Sequence, residues 1–178
     1  TMQFTKKSFA IIAILASSYA YAGTKVLGFE IEASTLEGVN ASLSKQTKVI
    51  DSGINKFSAG AMLKTDGSSY EIKGLNNVLY IFDDQKKLAG VIMSMNKNRF
   101  DSVYQAVSKK YKIVSQDRPF VGNQFARFKT PDSTIEIDAP HLSFEMEVRY
   151  IRKDLLQKFN TQSAAEAESE KKREASKF

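Results

Sequence analysis

Ala61-Met-Leu-Lys-Thr-Asp-Gly-Ser-Ser-Tyr-Glu-Ile72 returns 65 positions later as Ala126-Arg-Phe-Lys-Thr-Pro-Asp-Ser-Thr-Ile-Glu-Ile137. Lys64, Thr65, Ser68, Glu71 and Ile72 recur as Lys129, Thr130, Ser133, Glu136 and Ile137. Two such stretches in one short chain point to an internal duplication, and the segments upstream of them extend it. At an offset of 64, Ser34-x-x-Glu37 matches Asn98-x-x-Asp101. Each offers an N-cap side chain and an acid in the first turn, where free amides and the helix dipole favour it. Behind the caps, Leu36, Val39 and Leu43 match Phe100, Val103 and Val107 at helical spacing. Ahead of them, Leu27, Phe29 and Ile31 match Val91, Met93 and Met95 with the alternation of a half-buried strand.

Each copy therefore reads strand, helix and several strands. In the first, strands fall near 48–50, 57–65, 69–73 and 78–82; in the second, near 112–115, 124–130, 134–138 and 143–151. Asp66-Gly67, Asn76-Asn77, Gly122-Asn123 and Pro131-Asp132 supply the turns between them. Connections this short favour antiparallel pairing. The expected fold is α+β, an antiparallel sheet with helices on one face, built as two tandem strand-helix-multistrand repeats at about 26–82 and 88–151 within one domain of 23–160.

The ends of the chain have a different character. Residues 1–22 combine Lys6 and Lys7, the apolar run Phe9 to Ala16 and the small residues of Ala20-Tyr-Ala22. That is the pattern of a secretory signal cut between Ala22 and Gly23, too short in its apolar part to span a bilayer. Its removal leaves 156 of 178 residues, enough for one domain with its own core. The expected address is periplasmic or secreted, with no stable membrane insertion once the signal is gone. Residues 161–178 are mostly Ala, Ser, Glu and Lys with almost no apolar face and only pairs such as Glu168 and Lys172 for support. They are expected to form a charged, frayed tail, or else a docking helix that orders on a partner.

Composition removes several classes of function. With no cysteine there is neither a disulfide framework nor a lipid-attachment site, and with His141 as the only histidine a His/Cys metal centre is not expected. No cofactor is expected either. Asp83-Asp84 is followed by Gln85-Lys86-Lys87 without EF-hand spacing and reads as a hairpin loop. No Gly-x-Ser-x-Gly elbow accompanies His141, which follows Pro140 as a loop residue. Glu145 and Glu147 alternate with Phe144, Met146 and Val148, so a pair of catalytic carboxylates is less natural there than the solvated face of a strand. Gly53, Gly60 and Gly67 are spaced for turns, not for a phosphate cradle. Lysine and glutamate are mixed along the chain, leaving no basic footprint for nucleic acid.

One surface stands out. In the hairpin between the copies, Phe82 and Leu88 flank the loop Asp83 to Lys87, and simple pairing sets Tyr80 opposite Gly90 and Val78 opposite Ile92. Val78, Tyr80, Phe82, Leu88 and Ile92 then form an apolar patch on the face away from the helices. Leu79, Ile81, Ala89 and Val91 turn toward them, and a slip of one residue would exchange the two sets. The patch is expected to be covered by the chain itself or to bind a partner.

Leu27-Gly-Phe29, Ser34-Thr-Leu-Glu-Gly-Val39 and Leu43 resemble the opening of small envelope modules related to the outer-membrane assembly lipoproteins of the SmpA/OmlA type. The tandem arrangement is similar to that of the β-lactamase inhibitor protein type. The chain lacks the lipid-bearing cysteine of the first, the cysteines of the second and a Gly-Pro after the first helix, so no functional residue carries over. What the resemblance implies is a class, non-enzymatic protein binding in the cell envelope. The expected function is a periplasmic module that recognises an envelope protein or peptide through its sheet face. The alternatives are a protein inhibitor of a secreted or periplasmic hydrolase and, less readily, a small hydrolase.

Overall fold

The structure is a computed structural model that describes residues 22–178, so the expected signal lies outside the described residues but for Ala22. A small hairpin of β1 (Lys25–Val26) and β2 (Phe29–Glu30) opens the chain and forms a sheet of its own. Helix α1 (Leu36–Ser44) leads into strands β3 (Val49–Ile54), β4 (Ala59–Asp66), β5 (Leu75–Asp83) and β6 (Leu88–Asn96). Helix α2 (Phe100–Ser108) leads into β7 (Lys112–Asp117), β8 (Gln124–Lys129), β9 (Ser133–Ala139) and β10 (Glu145–Arg152), and α3 (Lys153–Ala175) closes the chain. The eight strands form one antiparallel sheet in the order β3-β4-β5-β6-β10-β9-β8-β7. The fold is α+β. A helix followed by four meandering strands occurs twice, and the two series meet where β6 pairs with β10.

Alternation along the strands builds the core. Leu63, Tyr80, Val91, Tyr150, Ile135, Phe128 and Ile113 are successive cross-strand partners from β4 to β7, an apolar stripe running across seven strands. Leu36, Val39 and Leu43 of α1 and Phe100, Val103 and Val107 of α2 all pack on this same cluster, so both helices cover one face. The cap of α1 is one residue later than expected: Thr35 accepts the Gly38 amide at 3.1 Å, while Ser34 accepts the Glu30 amide. Ahead of α2, Asn96 caps a short 3-10 turn, Lys97–Arg99, through the Asn98 amide.

Three expectations change. Residues 69–73 are not a strand: Ser68–Tyr70 is a 3-10 turn, so the sequence match holds through Lys64-Thr65 and Lys129-Thr130 and then separates a turn from strand β9. Residues 27–31 do not occupy the place of 91–95, because β1 and β2 pair only with each other while Val91 to Met95 lie in a central strand. Of the two forms kept open for 161–178, a frayed tail or a helix, the segment is helical to Ala175 as the continuation of α3. Leu155 of α3 packs with Ile81 and Ala89 on the face opposite α1 and α2, so the helices lie on both faces of the sheet.

The hairpin register also differs. Phe82 pairs with Leu88 but Ile81 pairs with Gly90, leaving Ala89 as the extra residue of a β-bulge. Beyond it Tyr80 faces Val91 and Val78 faces Met93. The turn sets this phase, since the Asp83 amide donates to the Lys87 carbonyl, the Asp83 carbonyl accepts the Lys86 amide, and the Asp83 carboxylate accepts the Gln85 and Lys87 amides. Gly90 suits the crowded side of the bulge, where a Cβ would sit 3.0 Å from Ile151 Cδ1.

The chain's first residues fasten to its second half. Thr24 Oγ1 lies 2.7 Å from Thr130 Oγ1 and also meets Asp132, whose carboxylate accepts the Thr24 amide at 3.2 Å. Burial works to raise the Asp132 pKa, but hydrogen bonds from Thr24, Ser133 and Thr130 outweigh it and hold the carboxyl below the usual range.

Candidate functional site

The bulge moves four of the five expected binding residues indoors. Val78, Tyr80, Phe82 and Leu88 are each 0% exposed and belong to the core beneath α1 and α2. Ile92 alone lies on the outer face, with Leu79 and Ile81, which were expected inside. That outer face is largely occupied by the chain itself. Leu155, Leu156 and Phe159 of α3 lie over it, and Phe159 meets Phe57 edge to face at 5.0 Å. A groove of about 230 Å³ persists between α3 and the sheet, apolar on one side and bounded by Glu136, Glu147 and Arg149 on the other.

The charges of this groove pair with one another, although the buried Arg149 Nε makes no hydrogen bond. On the outer row, Arg149 of β10, Glu136 of β9 and Arg127 of β8 are cross-strand partners. Arg127 pairs with Glu136 at 2.7 Å and Arg149 with Asp138 at 2.8 Å, with Glu136 and Glu147 at 3.6 and 3.5 Å. Glu145 accepts from Asn76 at 2.6 Å and Ser94 at 3.2 Å. These contacts account for the carboxylates as parts of the sheet. Among the described residues, no group of three or more His, Asp or Glu side chains is placed to hold a metal ion.

A different surface has no such internal explanation. The loops 118–123 and 140–144 leave the same end of the β8–β9 pair, where Gln124 faces Ala139. On them, Phe120, Val121, Leu142 and Phe144 are 102%, 67%, 93% and 91% exposed. Single exposed apolar residues are ordinary, but here four large ones gather on two adjoining loops at one end of the sheet. The loops carrying them are braced. The His141 amide donates to Asn123 Oδ1 at 2.8 Å, joining one loop to the other. Lys97 donates its amide to the Phe144 carbonyl at 2.9 Å and its ammonium to the carbonyls of Pro140 and His141. Arg118 pairs with Asp101 and lies 4.3 Å from the centre of the Tyr104 ring, tying the first loop to α2. The frame is therefore fixed while the apolar heads project into solvent. No protein family, curated protein or solved structure matches this chain. The loops' only sequence signal was large apolar residues, without period, between Pro119, Gly122 and Pro140.

Proposed function

We propose that this protein is a non-enzymatic binding module of the periplasm or secreted space that grips a protein partner with the loop pair bearing Phe120, Val121, Leu142 and Phe144. The observation that carries the reading is the exposure of these four apolar side chains, nearly complete for Phe120, Leu142 and Phe144, on braced loops. Each large apolar side chain gains about 1.5–3 kcal/mol on leaving water, and loops already held in place lose little freedom on binding. A protein fits better than a lipid surface, because the flanking cations Arg118 and Lys97 are engaged with Asp101 and with the Pro140 and His141 carbonyls. Among the described residues no helix is long and apolar enough to cross a membrane. Inhibition of a hydrolase is the form such binding takes if the aromatic tips enter a catalytic cleft.

The test is an affinity measurement on two variants. A partner is recovered from envelope extract with the wild-type protein and then titrated in pure form. Phe120→Ala and Phe144→Ala should each weaken binding by about 2 kcal/mol, or roughly thirtyfold, as aromatic hot spots do. Their unfolding free energy should stay within about 0.5 kcal/mol of wild type. Variants that bind the partner as wild type does would remove the loop pair as the site. Repeating the titration with substrate turnover as the signal separates an inhibitor from a simple binder.

A further inference from the structure

The leader reading can be carried to an atom. The Gly23 nitrogen donates to Glu30 Oε1 at 2.8 Å, and the next amide, that of Thr24, donates to Asp132 Oδ2 at 3.2 Å. The site fits glycine closely: a Cβ on Gly23 would stand 2.8 Å from Glu30 Oε1 and 3.1 Å from Asp132 Oδ2. Ala22, one residue earlier, is exposed. The residue that follows the expected cut is thus held between two carboxylates.

We infer that the α-amino group released at Gly23 docks as an ammonium on the Glu30 carboxylate, with Asp132 as the second anion, so that removal of the leader completes the fold's N-terminal clasp. This rests on the reading of residues 1–22 as a leader removed by an envelope peptidase. Water adds across the Ala22–Gly23 peptide bond: the C–N bond breaks, Ala22 leaves as a carboxylate, and the Gly23 nitrogen takes up protons to become an ammonium. A neutral amide that donated one hydrogen bond becomes a cation with three donors, against an anion already in place. Glu30, Glu32 and Asp132 face this position as acids. Of the other charged or titratable groups, Lys25 is the cross-strand partner of Glu30, Tyr111 stands near Asp132, the Lys153 ammonium is turned onto the Pro131 carbonyl at 2.8 Å, Arg152 is held by Asp83 and Asp154, and Lys87 and Lys158 line a cleft with Glu32 and Asp132. The ammonium is therefore favoured over the free amine, and the α-amino pKa should lie above its ordinary value of about 7.7–8.0.

The experiment uses the full chain, exported and recovered from the envelope. Intact mass gives the N-terminus, and acylation at pH 7, read on the N-terminal peptide, gives the reactivity of its amine. The expected N-terminus is Gly23, with acylation about tenfold slower than in Glu30→Gln, the change that one pKa unit produces. In urea the two should react alike. An N-terminus elsewhere overturns both the leader reading and the docked ammonium. An N-terminus at Gly23 with equal rates in the two folded proteins overturns the docking and leaves the leader reading standing. If Glu30→Gln does not fold, wild type in buffer is compared with wild type in urea, and equal amine pKa values in the two states overturn the docking.

Discussion

Tyr80→Ala should cost about 4 kcal/mol of folding free energy, in the range for emptying a large core site, while Tyr80→Phe should cost about 1 kcal/mol. The ring is fully buried in the cross-strand stripe between Leu63 and Val91 and meets Phe29 edge to face at 5.8 Å. Its hydroxyl lies 2.8 Å from that of Tyr70, which in turn lies 2.6 Å from Thr65 Oγ1. Phenylalanine keeps the packing and deletes one link, and the Tyr70 hydroxyl retains Thr65. Alanine removes the ring from the centre of a sheet with little room to collapse. Burial and the bond with Tyr70 both push the Tyr80 hydroxyl pKa upward, so it stays protonated and the comparison can be run at any moderate pH. Urea melts decide it. A folded Tyr80→Ala protein losing less than about 1 kcal/mol would mean that this side chain faces outward and that the bulge at Ala89 is misplaced.

Arg152→Ala should cost about 3 kcal/mol, at the lower end for breaking a buried pair. Arg152 and Asp83 are 13% and 14% exposed and pair at 2.9 Å, while Arg152 also grips Asp154 through two nitrogens at 2.6 and 2.9 Å. It therefore joins the β5–β6 turn to the first turn of α3. Burial raises the Asp83 pKa, but the Lys87 amide, Arg152 and the Gln85 amide outweigh it and hold the carboxyl below the usual range. A depressed carboxylate contributes stability that is present above its unfolded pKa of about 3.9 and lost as pH falls through the folded value. The Arg152→Ala deficit should accordingly be full at pH 7 and shrink below about pH 4. Adding Asp83→Asn to Arg152→Ala should cost less than the sum of the two single changes, because the stranded carboxylate is gone. Equal deficits at pH 7 and pH 3, or strict additivity, would show that the arginine acts by packing alone.

The helical period made α1 and α2 legible, because each carries a clean apolar stripe, although only α1 is capped by a side chain and Asn98 does not cap α2. The α+β class followed from turn residues spaced for antiparallel strands. What could not be read was the phase of the central hairpin. From Leu88 to Met93 every residue but Gly90 is apolar, and β5 is nearly so, because these strands are covered on both faces. Without alternation the sequence carries no phase, and one unmarked bulge reverses every side chain beyond it. The start of the third helix was hidden for a different reason. Leu155, Leu156 and Phe159 have helical spacing, but they fall at the join between a strand and a charged segment, where a single turn of apolar residues reads as the end of the domain.

The clasp at the N-terminus sets an order of events during synthesis. Thr24 is among the first residues of the folded part to be made, yet Thr130 and Asp132 lie 106 and 108 residues further along the chain. At about 5–20 residues per second, roughly 5–20 s pass between the emergence of one side of the clasp and the other. Throughout that interval the leading end has only its local partners, Glu30 and the β1–β2 hairpin, to hold it. The fold leaves its beginning unfastened to the second half until that half has been delivered, so the long sequence separation acts as a clock.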